Sequence, residues 1–211
     1  MAVHNVSKTE TFNMSYDSLS KKTLISQDFR CLRMVKIRVV NLVVTTDLKH
    51  KLHLEKIASV LPNVEYNPEQ FPGLVLRIKE PKTSALLFSS GKVVCTGAKD
   101  ITSAKKAVHE IINSLKKVDI KITINPTLKI QNLVGAGELG FDLDLNGLTM
   151  KLSNVEYEPE QFPGLIYKMK KPYHASFLLF SNGKIVCTGV KSKGEMEKCL
   201  EQLVKNLKKV S

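Results

Sequence analysis

Ten residues of this chain, EYNPEQFPGL at 65–74, return as EYEPEQFPGL at 156–165 with one change, and GKVVCTGAK at 91–99 returns as GKIVCTGVK at 183–191. Two blocks repeated in the same order mean an internal duplication, so the fold must hold two like halves. Asn41 and Asn132, Tyr66 and Tyr157, Phe71 and Phe162, and Pro81 and Pro172 all lie 91 apart, whereas Phe88 and Phe180, and Thr96 and Thr188, lie 92 apart. One residue has therefore been inserted between Pro172 and Phe180. Such a period exceeds the roughly 20–50 residues of a solenoid unit and suits two half-domains joined into one body.

Each half reads in the same order. In the first, VKIRVVNLVVTT at 35–46 is rich in β-branched residues and short enough for a strand. LKHKLHLEKIASVL at 48–61 sets Leu48, Leu52, Ile57 and Leu61 near helical spacing and stops at Pro62. Three short strands follow, GLVLRIKEP, SALLFSS and KVVCTGAK, with turn residues at 81–83 and 89–92 between them. The half closes on an amphipathic helix whose stripe is Ile101, Ala104, Val108, Ile111, Leu115 and Val118. In the second half come a strand around 129–134, a weaker helical signal at 143–152, three strands, and a helix with the stripe Met196, Cys199, Leu200, Leu203, Val204, Leu207 and Val210. This order predicts an α+β fold with helices on one face of an antiparallel sheet.

The opposite face is fixed by strand alternation. Leu86 and Phe88 point one way, and Val94 and Thr96 fall in step across the turn; Leu178, Phe180, Val186 and Thr188 repeat the arrangement, because the insertion precedes Leu178. With Asn41, Val43, Asn132 and Val134, this face is apolar with a few small hydrogen-bonding groups. A sheet buried on both sides would use the same Phe and Val residues as core, and that alternative stays open at this point.

Composition bounds the function. Of 211 residues, 43% are hydrophobic, enough for the core of one or two domains. The formal charge of +12 points toward a polyanionic partner without making it a specific one. Cys31, Cys95, Cys187 and Cys199 contain no CxxC pair and read as reduced, buried thiols. His4, His50, His53, His109 and His174 make no HExxH motif, GAGELG at 135–140 lacks the glycine spacing of a dinucleotide site, and no GxSxG or Walker-type loop occurs. No apolar run approaches the roughly 18 residues of a membrane span. The expectation is a soluble, intracellular, non-catalytic protein without metal, cofactor or membrane. Residues 1–33, with Phe12, Tyr16 and Phe29 among Ser, Thr, Lys and Asn, read as a flexible N-terminal extension or a segment that folds on a partner. The repeats then occupy 34–125 and 126–211.

Over about residues 35–210 the sequence resembles the TATA-box-binding protein family, on the two EYxPEQFPGL blocks together with FSSGKVVCTGAK and GKIVCTGVK; Phe-Pro-Gly in both halves is similar to the archaeal type. The resemblance implies a saddle: a curved antiparallel sheet of about ten strands with four helices on the convex face and DNA on the concave one. It makes Phe71, Phe88, Phe162 and Phe180 the intercalating residues, and Asn41, Asn132, Thr96 and Thr188 the hydrogen-bonding ones. Val43, Leu86, Val94, Val134, Leu178 and Val186 would pack in the minor groove, and Arg77, Lys92, Lys99, Lys168, Lys184 and Lys191 would meet phosphates. A transcription factor B homologue would dock on the loop carrying Glu158, Glu160 and Gln161, with RNA polymerase machinery beyond it, and a weak homodimer off DNA is compatible with the family.

These residue types suit that chemistry. The minor groove over A·T pairs shows only acceptors, so an apolar face with few donors rejects the guanine amino group. Phe wedges unstack a base step, and Lys and Arg add affinity through counterion release. The implied function is a general transcription initiation factor that binds and bends A/T-rich double-stranded promoter DNA; a paralogue working mainly through protein partners and a non-catalytic nucleic-acid-binding module are the alternatives. Two departures stand out. Many archaeal-type relatives are acidic, whereas this chain ends KNLKKVS and its helices bear Lys105, Lys106, Lys116, Lys117, Lys205, Lys208 and Lys209, a solvated face or a partner surface. The inserted residue is expected to alter the turn beside Lys170 and Lys171.

Overall fold

The computed structural model describes residues 35–210, so the reading of residues 1–33 lies outside the described residues. The chain divides into residues 1–35 and 36–211, and the second unit holds the sheet and its helices. Its β-branched segments form β1 (Lys36–Asp47), β2 (Val64–Glu65), β3 (Gly73–Ile78), β4 (Thr83–Phe88) and β5 (Lys92–Ala98) in the first repeat. The second repeat supplies β6 (Lys129–Glu138), β7 (Val155–Glu156), β8 (Leu165–Met169), β9 (Ala175–Leu179) and β10 (Lys184–Val190). All ten join one sheet in the order β2-β3-β4-β5-β1-β6-β10-β9-β8-β7, antiparallel throughout. The order reads the same from either edge, so a pseudo-twofold axis runs between β1 and β6.

Four helices accompany the sheet: α1 (Leu54–Val60), α2 (Ile101–Lys116), α3 (Leu145–Lys151) and α4 (Lys193–Val210). Helix α2 packs on β5, β3 and β1, α1 on β3, and α4 on β10 and α3. The stripes that do this bury Ala104, Ala107, Val108, Ile111, Ile112 and Leu115 in α2, and Met196, Cys199, Leu200, Leu203, Val204 and Leu207 in α4. Ile101 departs from its expected place in the stripe. It is the first residue of α2, where the helix begins, and remains exposed; its neighbour Asp100 is the N-cap and accepts from the Ser103 N–H at 2.7 Å. That hydrogen bond also holds the Asp100 carboxyl below its ordinary pKa.

The first helix is shorter than its sequence pattern. Leu48 and Leu52 are buried as expected, but they precede α1, because the Leu48 and Leu52 N–H groups donate to the carbonyls of Gly91 and Ser89 instead of entering a helix. Leu139 and Leu143 bond to Gly183 and Ser181 in the same way in the second repeat. Strands β2 and β7, two residues each, are too short for alternation to reveal. The strand expected around 129–134 continues to Glu138, taking in the glycine-rich segment. The inserted residue is now placed: residues 79–82 link β3 to β4, whereas residues 170–174 link β8 to β9. Among the described residues no helix is long and apolar enough to cross a membrane.

Candidate nucleic-acid interface

Alternation along the strands leaves one face of the sheet without helices. In β4, Thr83, Ala85 and Leu87 are buried while Ser84, Leu86 and Phe88 are half-buried; in β5, Val93, Cys95 and Ala98 are buried while Val94 and Thr96 are half-buried. β9 and β10 repeat the pattern with Leu178, Val186 and Thr188, and Phe180 just beyond β9 is half-buried too. The sheet is therefore not a two-sided core. Cross-strand pairing lines up Thr45, Val94, Leu86 and Val75 in one row on this open face, and Ala136, Val186, Leu178 and Ile166 in the equivalent row.

At the centre, Asn41 stands opposite Val134 and Val43 opposite Asn132. Each asparagine is locked. Asn41 Oδ1 accepts from the Gly97 N–H at 2.8 Å, and its Nδ2 donates to Thr96 Oγ1 at 3.1 Å. Asn132 does the same with Gly189 at 2.9 Å and Thr188 at 3.0 Å. Because the carbonyl oxygen is tied to a backbone N–H, the amide cannot flip, and the hydrogen left for a ligand is an Nδ2–H. These asparagines present donors. The geometry depends on bulges in β5 and β10, where Gly97 and Gly189 hold φ values of +100° and +94° that an L side chain rarely adopts.

Toward each end of the face sits a pair of phenylalanines. Phe71 and Phe88 meet edge to face with centroids 6.0 Å apart, and Phe162 and Phe180 likewise at 5.9 Å. Phe71 is 42% exposed and Phe162 40%, unusual for this residue type and evidence of rings held out from the core. Gly73 and Gly164 make room for them: a Cβ on either would come within 2.6 Å of the Phe71 or Phe162 ring. The Phe-Pro-Gly motif is thus a packing unit, and Gly73 and Gly164, whose part the sequence reading missed, are recognisable in it as the residues without a side chain opposite a second ring.

The basic residues split into two groups. Lys92, Lys99, Lys184 and Lys191 are exposed at the ends of β5 and β10. Arg77 and Lys168 are exposed as well but already paired, Arg77 with both carboxylate oxygens of Glu65 at 2.9 and 3.1 Å, and Lys168 with Glu156. Sequence spacing did not reveal these pairs, since Glu65 and Arg77 meet only because β2 lies beside β3. Both are solvent-exposed, so each is readily exchanged for another anion. Glu158, Glu160 and Gln161 lie exposed in the loop before Phe162, closed by Gln161 and Phe162 N–H groups donating to the Glu158 carbonyl.

Cys95, Cys187 and Cys199 are free and buried; Cys31 lies outside the described residues. Burial, with Cys199 beside it, pushes the Cys187 thiol up to about 12, and burial also raises Cys95 and Cys199. Among the described residues no group of three or more His, Cys, Asp or Glu could hold a metal ion.

The family model described as transcription factor TFIID, or TATA-binding protein, matches residues 36–118 and 127–210, one match per repeat. A TATA-box-binding protein of Picrophilus torridus is 49% identical over 84% of this chain and 97% of its own length. One of Thermococcus kodakarensis is 46% identical over 83% of this chain and 92% of its own. Among solved structures, the Methanococcus jannaschii TBP superimposes with a TM-score of 0.76 at 43% identity, covering 82% of this chain and 99% of that one. The ten-stranded sheet with four helices is the curved saddle of that structure.

Proposed function

The chain belongs to the TATA-binding protein family, and we propose that it is a general transcription initiation factor that binds and bends A/T-rich promoter DNA through the minor groove. One observation carries this: an open, apolar sheet face with locked, donor-presenting asparagines at its centre and a projecting phenylalanine pair toward each end. Over A·T pairs the groove floor offers only adenine N3 and thymine O2 acceptors, which Asn41 and Asn132 can meet while Val43, Val94, Val134 and Val186 lie against sugars and base edges. A guanine amino group would meet hydrocarbon or another donor there. Phe71 with Phe88, and Phe162 with Phe180, wedge into a base step at either end, and the unstacking, a few kcal/mol per step, is offset by the surface that a bent groove covers. Leu86 and Leu178 complete the apolar contact, and Thr96 and Thr188 add hydroxyl donors.

Lys92, Lys99, Lys184 and Lys191 neutralise phosphates at the rim, and Arg77 and Lys168 join them by exchanging Glu65 and Glu156 for phosphate. A pseudo-twofold face reads a near-palindromic A·T element almost equally in both directions, so on such an element direction comes from a partner on one repeat. The exposed Glu158 and Glu160 suit a basic surface on a transcription factor B homologue, which then brings RNA polymerase. Asn67 stands where the second repeat has Glu158, so the first repeat offers one carboxylate fewer. Off DNA, the open face would permit only weak self-association.

The experiment is end-to-end energy transfer across a short TATA-like duplex titrated with the chain. The ends should approach on binding and separate when a competing duplex strips the protein off. A saturable complex with unchanged end-to-end distance would rule out the wedges.

A further inference from the structure

Two symmetry-related bulges at the centre of the sheet carry different chemistry. Where β1 pairs with β6, Val40 is the extra residue between Val39 and Asn41, and Gln131 the extra residue between Ile130 and Asn132. Both are half-buried. The Gln131 amide donates to Thr45 Oγ1 at 2.7 Å. Thr45 lies on the open face in step with Asn41 and Val43, since Leu42, Val44 and Thr46 are buried on the helix side, and it pairs with Val94 of the first repeat. That hydrogen bond draws the Gln131 amide onto the open face. The repeat-equivalent positions are Val40 and Ala136, neither of which has a side-chain hydrogen-bonding group.

The same central quartet of Asn and Val is therefore flanked by a polar pair toward the first repeat and by hydrocarbon alone toward the second. With one Nε2–H given to Thr45, the pair still offers the other Nε2–H, the Gln131 Oε1 acceptor and the Thr45 hydroxyl hydrogen. Donors there suit adenine N3 and thymine O2; the Oε1 acceptor suits the guanine N2 amino group, which the minor groove adds only at G·C. At Val40 and Ala136 that amino group would be desolvated without a partner.

Given the minor-groove reading above, on which this rests, we propose that Thr45 and Gln131 are an orientation determinant. They let the first-repeat half of the face accept a G·C pair that the second-repeat half rejects, so an A/T-rich element interrupted on one side is bound in one direction before any protein partner arrives.

The test uses palindromic A·T duplexes carrying a single G·C pair stepped through one half. The full chain bears Glu160→Cys for an iron chelate, with Cys31→Ser removing a competing thiol; Cys95, Cys187 and Cys199 are buried. Strand cleavage reports which end the second repeat faces. At one step at least, about a tenfold excess should place the first repeat over the G·C half. Gln131→Val with Thr45→Ala should bring the ratio near one. Adding Val40→Gln and Ala136→Thr to that variant should reverse the bias, an outcome that misfolding cannot mimic. Even cleavage by the unmodified pair, or a bias that survives its removal, overturns the proposal. Failure to bind the uninterrupted duplex would instead bring down the DNA-binding reading beneath it.

Discussion

The two repeats agree over most of one face of the sheet and diverge across the other. On the helix side, the cross-strand row in the first repeat runs Val44, Cys95, Ala85, Leu76, and in the second Gly135, Cys187, Phe177, Tyr167, all buried. About a shared cysteine, Val44 becomes the smaller Gly135 while Ala85 and Leu76 become the larger Phe177 and Tyr167, the kind of redistribution that a packed interior tolerates. On the open side most positions are unchanged: Asn41, Val43, Leu86, Phe88, Val94 and Thr96 recur as Asn132, Val134, Leu178, Phe180, Val186 and Thr188, and the differences fall at Thr45 and Gln131 against Ala136 and Val40, and at Val75 against Ile166. A core needs only its volume filled. Matching residues on the uncovered face are what the proposed DNA contact requires, since each half would meet the same kind of groove.

The largest expected effect tests whether the two ends are equivalent. Phe71→Ala with Phe88→Ala, and separately Phe162→Ala with Phe180→Ala, should each weaken DNA binding by about 2 kcal/mol or more and cut the bend. If the halves contribute alike, the two double variants will match in bend angle by energy transfer; a bend unchanged in either removes the wedge role from that end. Next in size is Gly73→Ala against Gly164→Ala. Each Cβ would press on a projecting ring, so calorimetry should show about 1–3 kcal/mol of destabilisation, or, if the ring yields instead, reduced bending at that end. Unaltered stability and bending together would mean that the rings have free room.

Asn41→Ala and Asn132→Ala come third. Each removes a donor from the face and leaves the Gly97 or Gly189 N–H without its acceptor, so A·T preference should fall more than affinity for mixed sequence, by about 1 kcal/mol each. Equal losses on every duplex would assign them a structural role alone. Smaller still, Glu65→Gln frees Arg77 and Glu156→Gln frees Lys168, and each should raise affinity while leaving a salt slope that still counts the cation, about 0.9 per phosphate. An affinity that does not move would mean the cation stays off the phosphate.

The cysteines give the mildest contrast. Cys95 is eased by a hydrogen bond to Thr83, whereas Cys187 has Cys199 beside it and rises to about 12 from its ordinary 9.0. A thiol raised on folding supports the native state below pH 9.0 and withdraws that support as pH climbs through about 12, where the unfolded chain ionises first. Cys187→Ala should therefore flatten the fall in stability over that window more than Cys95→Ala. The reverse order, measured by urea unfolding against pH, would contradict the packing described.

Much of this was legible in the sequence because it is periodic. The duplication, the two amphipathic helices α2 and α4, and the shared face of Leu86, Phe88, Val94 and Thr96 all follow from spacing alone. What escaped depends on contacts between distant segments. The Glu65–Arg77 pair needs β2 laid beside β3, the lock on Asn41 needs a bulge 55 residues or more further on, and the end of the helical pattern at Leu48 needs the turn at Gly91. Gln131 sits in an alternating run that gives no sign of a bulge, so its amide was not counted on the open face.

The most direct test of the open face is fluorescence anisotropy of the chain on a TATA-like and a G·C-rich duplex across a salt series. Tight binding that prefers the A·T duplex, and whose preference persists as salt rises while overall affinity falls, is what a donor-bearing apolar face predicts. Equal binding to both duplexes that disappears with salt would mean that the +12 charge alone holds the DNA and that the open face serves some other ligand.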